Sequence, residues 1–214
     1  MKTINIQKLT GHWTEGFALD LHTISSIPIY STKTVKMIID GKETNVDVQG
    51  DIIGWDTKRP EIAEHLYQLK YCYDKSRIPI ISTEVVNFLK TKVYWNLHKI
   101  IPMPPSDTTR SFQPVYELAK VIGNSCNLDV DFDTLKKLKS TNQLKSIEDP
   151  EQRKEILQDT FDTIANSLSG KNILLFDDLY RSGETLNAAN DVLKNKGNAA
   201  NIYVLTITKT RTKR

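Results

Sequence analysis

Asp177 and Asp178 stand side by side after the apolar run Ile173–Phe176, and Ser182-Gly183-Glu184-Thr185 follows three residues later. Two adjacent acids at the end of a buried strand can accept hydrogen bonds from vicinal hydroxyls, or hold a divalent cation through oxygen or water ligands. A lone Asp there would read as a helix N-cap. The loop Arg181–Thr185 carries the opposite preference. Gly183 lets the backbone turn its N–H groups inward, Ser182 and Thr185 add hydroxyl donors, and a helix opening there favours an anion. Acids for hydroxyls beside donors for a phosphate suit a sugar phosphate. The chain has no Gly-x-x-x-x-Gly-Lys, and no Gly-x-Gly-x-x-Gly follows a strand, so nucleoside-triphosphate and dinucleotide cradles are disfavoured.

The elements that must hold these residues can be read from pattern. Asn172–Phe176 reads as a strand, and Thr185–Lys196 as a helix stopped by Gly197 at the C′ position. Ile202–Ile207 is a last apolar strand. Upstream, Pro60-Glu61 opens a helix with Ile62, Leu66 and Leu69 at helical spacing. A second helix is expected over Ser82–Lys92, a strand over His98–Met103, a helix over Phe112–Ile122, a strand over Leu128–Phe132 and a helix over Pro150–Asn166. Strands alternating with helices imply an α/β fold with a mostly parallel, twisted sheet flanked by helices. Ligands of such sheets sit outside the carboxyl ends of strands, so the loops 102–111 and 177–185 are expected to face one crevice. Residues 1–57 differ. Thr34–Asp40 and Asn45–Val48 are β-like, and Asp40-Gly41 between them signals a hairpin. The expected division is a small β-rich N-terminal hood over 1–57 and an α/β domain over 58–214. Trp13–Asp20 is read as the start of a lid.

Composition narrows the classes. With 29 Lys+Arg against 26 Asp+Glu in 214 residues, the net charge of +3 is too small to argue for nucleic acid. The one basic cluster is the tail Lys209, Arg211, Lys213 and Arg214, read as a solvated end. Cys72 and Cys126 lack metal-ligand spacing, and His12, His22, His65 and His98 form no H-x-x-x-H pair, which disfavours a disulfide framework or structural zinc. No apolar run reaches transmembrane length, no signal-peptide core is evident, and a cytoplasmic protein without membrane contact is expected.

Residues 173–185 resemble the phosphoribosyl-pyrophosphate signature of type I phosphoribosyltransferases: four apolar residues, two acids, a short variable stretch, then Thr/Ser-Gly-x-Thr. Arg181 stands where that family commonly has Thr. Leu69-Lys70-Tyr71, Pro102-Met103-Pro104-Pro105 with Arg110-Ser111-Phe112-Gln113, and the basic stretch from Leu135 to Phe161 (Lys137, Lys139, Thr141, Gln143, Leu144, Arg153) are similar to elements of the ComF branch of competence-associated phosphoribosyltransferases. That likeness covers roughly residues 58–210. The four-cysteine finger often carried by that branch is absent.

The resemblance implies a Mg²⁺-dependent transfer of phosphoribosyl from phosphoribosyl pyrophosphate to a nitrogenous acceptor. Asp177 and Asp178 would take the ribose hydroxyls and, through ribose or water, the metal. Arg181, Ser182, Gly183, Glu184 and Thr185 would take the 5′-phosphate. Arg110, Pro105, Ser106, Lys137, Lys139, Lys145 and Arg153 would meet the pyrophosphate, the last four on a closing loop. From the residues alone, Arg110 could equally be a surface arginine, the 137–153 cations a solvated stretch, and Tyr180 a packed aromatic. Lys70 reads as a snorkelling surface lysine. A non-catalytic module that binds phosphoribosyl pyrophosphate or a nucleotide, or serves DNA uptake, is the second reading, and a homodimer is left open.

Overall fold

The computed structural model describes residues 4–138 and 160–211. Six strands form the main sheet: β1 (Gln7–Lys8), β2 (Glu15–Leu21), β5 (Lys99–Pro102), β6 (Asp129–Val130), β9 (Asn172–Tyr180) and β10 (Asn201–Lys209). Their spatial order is β1-β2-β10-β9-β5-β6. All neighbours pair parallel except β1, which closes the β2 edge antiparallel. Buried parallel strands need both faces covered, and the register does this by alternation. Leu174, Phe176, Leu205 and Ile207 face one core with Ile62, Leu66 and Leu69 of α1 (Glu61–Tyr71). α2 (Arg77–Lys90) and α3 (Pro114–Cys126) pack on the same side. Trp95, fully buried there, stacks on Tyr203 at 4.6 Å between ring centroids and donates to Glu15 at 2.6 Å. Ile173, Leu175, Ile202 and Val204 face the other core with Leu186, Ala189 and Leu193 of α4 (Glu184–Asn195).

The expected α/β class holds, with a mostly parallel sheet and a separate small antiparallel sheet near the N-terminus. That small sheet is one long hairpin, β3 (Ser25–Ile39) with β4 (Lys42–Lys58). Its turn is the expected Asp40-Gly41, where φ of 51° and 77° suits a primed hairpin turn. The strands run far beyond the short β runs legible in sequence, through bulges near Gly50 and Ile53. This arm presents Ile27, Ile29, Val35, Met37, Ile39 and Trp55 to solvent.

Four sequence expectations differ. Trp13–Asp20 is not a lid: Glu15–Leu21 is a strand of the main sheet, paired with β10, and Trp13 is buried edge-on to Tyr180. The hydrogen bonds of residues 7–21 therefore tie them to the α/β sheet, across the division expected at 57. The helix expected over Pro150–Asn166 is not present in its described part. Phe161–Asp162 (β8) pairs antiparallel with Lys136–Lys137 (β7), and 150–159 lie outside the described residues. Gly197 does follow the end of α4, but the left-handed residue there is Asn198, at φ 61°. Gly197 is needed for closeness, because a Cβ would meet the Leu193 carbonyl at 2.6 Å.

Candidate functional site

β9 continues past Phe176, so both acids lie inside the strand rather than after it; Asp177 is in register with Thr206. Adjacent strand residues point to opposite faces. Asp178 follows Leu174 and Phe176 toward α1. Asp177 follows Ile173 and Leu175 toward the α4 side. The two carboxylates straddle the crest of the sheet, each facing a lysine.

Lys70, in the last turn of α1, meets Asp178 at 2.6 Å, with the two side chains 20% and 13% exposed. It is no snorkelling lysine. Burial alone would lower its ammonium. The charge of Asp178 and its hydrogen bond outweigh that, with help from Tyr71 and Asp177, and the net shift is upward. On the other side, burial lowers the Lys137 ammonium against the pull of Asp177, while its Nζ lies 3.1 Å from the Ser106 hydroxyl. Lys137 thereby ties β7 to the loop after β5. Asp177 takes the heavier load. Burial first, then the Asp178 charge, push it up to about 7, although the Asp178 amide at 2.8 Å, Lys70 and Lys137 all pull downward. Near neutral pH this carboxyl can both accept and donate a proton.

Two further residues complete the crest, and no sequence motif announces them. Thr208 donates to the Asp178 carbonyl at 3.2 Å, and the His22 ring nitrogen lies 3.1 Å from the Thr208 hydroxyl. Burial, then Lys70 and Arg59, hold the His22 imidazole below its usual range; Asp178 opposes them and Arg181 adds to them. His22 follows the end of β2, so the unexpected strand β2 is what delivers it.

The loop Arg181–Thr185 leads into α4 through a left-handed glycine. Gly183 caps α4 with φ 85°, and its carbonyl accepts from the Asn187 amide at 2.8 Å. A Cβ at Gly183 would lie 2.7 Å from the Tyr180 hydroxyl, so glycine is required by backbone and by space. Tyr180 is a packed aromatic, with its hydroxyl donating to the Thr10 carbonyl at 3.2 Å. Arg181 and Ser182 are exposed at the crest, and Thr185 is half-buried in the first turn of α4. Ser182 donates to Glu184 at 3.0 Å. A phosphate entering this loop would compete with the Glu184 carboxylate for that hydroxyl.

Arg110 lies in the loop after β5, as a surface arginine would. It is 47% exposed and bonded to Asp107 at 3.3 Å, in a loop stapled by Gln113 donating to the Asp107 carbonyl at 2.7 Å. Its partner is this loop acid, not Asp177 or Asp178. Pro105 and Ser106 share the loop, and Ser106 reaches the crest through Lys137. Lys139, Lys145 and Arg153 lie outside the described residues.

Among the described residues no group of three acid, histidine or cysteine side chains could cage a metal. Asp177 and Asp178 face opposite ways, and Asp178 already holds an ammonium. The pair fits a cation carried on a ligand's own phosphate oxygens, touched through water or hydroxyl, rather than one held by protein alone. Among the described residues, no helix is long and apolar enough to cross a membrane.

The comparisons with known proteins agree with part of this picture. No family model matches the chain. Competence protein ComFC of Bacillus subtilis (strain 168) is 30% identical to it over 138 residues, 58% of this chain and 53% of that protein. The chain spans about half the length of this curated relative, and over that stretch it is similar to it.

Proposed function

We propose that the chain is a phosphoribosyltransferase that binds phosphoribosyl pyrophosphate at the crest of β9 and transfers its phosphoribosyl group to a nitrogenous acceptor, releasing pyrophosphate. The observation that carries this reading is the convergence, at the carboxyl ends of parallel strands, of Asp177 and Asp178 with the glycine-capped N-terminus of α4. The 5′-phosphate would take the N–H groups of 182–185, whose helix dipole complements it. The ribose hydroxyls would take Asp178 and Asp177, and their demand for acceptors suits the depressed charge of Asp177 only once a ligand donor is near.

Bond breaking at C1 separates an oxocarbenium-like sugar from pyrophosphate. Lys137, held against Ser106 of the loop after β5, would supply cationic compensation to the leaving group. Mg²⁺, brought on the substrate's oxygens, would add Lewis-acid neutralisation of the departing pyrophosphate. Lys70 fixes the Asp178 carboxylate, so that acceptor oxygens are aimed before the ligand arrives.

A second reading is supported by Arg110, which is turned to Asp107 and solvent: a module that binds phosphoribosyl pyrophosphate or a nucleotide without turnover, serving competence as the similar Bacillus protein's name suggests. Pyrophosphate release measured across a panel of bases and amines with Mg²⁺ tests the choice. Turnover with any acceptor supports transfer. Tight Mg²⁺-dependent binding without release from any acceptor supports the second reading.

A further inference from the structure

The arm breaks the rule that apolar faces are covered. β3 is regular and its alternate residues share a face, so Ile27, Ile29, Val35, Met37 and Ile39 line one side, joined through the register by Val46 and Val48 of β4. Val35 and Val46 pair directly. The opposite face is polar over Thr32, Thr34, Lys36, Asn45, Asp47 and Gln49, with exposed Ile38 near the tip and Tyr30, Ile52 and Trp55 toward the root. Thr34 donates to Asp47 at 2.7 Å and Lys36 to Glu43 at 3.0 Å, both across the strands. Yet Ile27, Met37 and Ile39 on the apolar side are each about half exposed, at 58%, 48% and 47%. Two strands of 15 and 17 residues span roughly 50 Å, and an isolated two-stranded ribbon is marginally stable in water. Something covers this face.

The charge of the arm selects the partner. Residues 25–58 carry four lysines (33, 36, 42, 58) against five acids (40, 43, 47, 51, 56). That balance is wrong for nucleic acid or an anionic lipid surface, which call for a basic patch. The apolar face itself is self-complementary. Its outer half is bulky (Val35, Met37, Val46), and its inner half is relieved by Ser31, Gly50 and Gly54. Lys33 near its middle is neutralised by Asp51 at 2.7 Å. Lys42 stands at the tip and Asp56 at the root, on the same face.

We infer that this face packs antiparallel against the same face of a second copy, about a two-fold axis near Lys33. That register sets Ile39 on the partner subunit's Ile27, and Val35 and Val46 over the partner subunit's Ser31 and Gly50. It also brings Lys42 to the partner subunit's Asp56. The pairing is isologous, so every contact occurs twice. With seven apolar side chains from each copy it buries on the order of 1,000 Å², the lower bound of a specific interface. This dimer does not depend on the transferase reading, and ligand binding at the crest can fail without affecting it.

Sedimentation of the full chain tests it. The wild type is expected to be a dimer. Lys42→Glu and Asp56→Lys singly weaken association about tenfold or more, and Lys42→Glu with Asp56→Lys together restore it to within about threefold. Met37→Asp with Ile39→Asp gives a monomer with unchanged circular dichroism of the α/β body. A wild type that stays monomeric up to about 100 μM, dimers indifferent to all four substitutions, or association that appears only with added single-stranded DNA would each overturn the proposal.

Discussion

The crest of β9 and the β3–β4 arm invert the usual distribution of side chains in opposite directions. At the crest, charged groups are enclosed, and each faces a cation: Asp178 with Lys70, Asp177 with Lys137. On the arm, apolar groups are open to water, with nothing among the described residues over them but their hairpin neighbours. Enclosed charge has a cost that packing does not repay, so it marks a place where a ligand completes the electrostatics. Exposed apolar surface marks a place where another surface completes the core. The two proposals follow this contrast: a small anionic ligand at the crest and a second copy of the chain on the arm.

Substitutions should separate the two regions by size. Lys70→Ala leaves Asp178 enclosed without its ammonium and is expected to lower unfolding free energy by about 3 kcal/mol, read by urea denaturation; Asp178→Asn added to it should recover most of that loss. Gly183→Ala follows, at about 2 kcal/mol, since its backbone lies at φ 85° and the Tyr180 hydroxyl is in the way. An Ala at 183 without measurable cost would show that the loop is not held in this form.

Asp177→Asn acts with the opposite sign and with pH. The folded protein holds the Asp177 proton up to about 7, whereas an unfolded chain releases it near the ordinary carboxyl range. The native state thus binds more protons between those limits, and wild-type stability from this group falls as pH rises through them. Asn cannot ionise. The gain in melting temperature from Asp177→Asn should be smallest near pH 4, grow toward pH 7 and level off above it. A gain that shrinks with rising pH would show that Asp177 is instead stabilised as a carboxylate. Smallest of all is Lys36→Ala, which removes an arm ion pair whose side chains are 71% and 68% exposed and should change stability by no more than about 0.5 kcal/mol. If it cost as much as Lys70→Ala, the contrast between crest and arm would collapse.

The parts legible in sequence were those set by local chemistry. Asp40-Gly41 marks a hairpin because both residues must take positive φ, and Gly183 marks the cap of α4 for the same reason. The amphipathic periods of α1 and the apolar run of β9 carry their own signals. What was hidden depends on partners far away in the chain. β2 is a strand because β10, some 190 residues on, hydrogen-bonds it, and its short Gly16–Leu19 run does not distinguish a sheet strand from a lid. Phe161–Asp162 is too short to show a period. Lys70 sits on a helix like any solvent lysine, and only α1 packing on the sheet sets it against Asp178; Leu69-Lys70-Tyr71 was the one hint. His22 had none. The adjacency of Asp177 and Asp178 suggested a side-by-side pair, and the continuation of β9 through them turns it into two carboxyls on opposite faces.

The central claim is that these two carboxyls hold the sugar of phosphoribosyl pyrophosphate. Calorimetric titration of that ligand with Mg²⁺ into the wild type and into Asp177→Asn with Asp178→Asn tests it most directly. The account predicts binding by the wild type and a loss of about 100-fold or more in the variant, with the variant still folded. Equal affinity in the two proteins would contradict it.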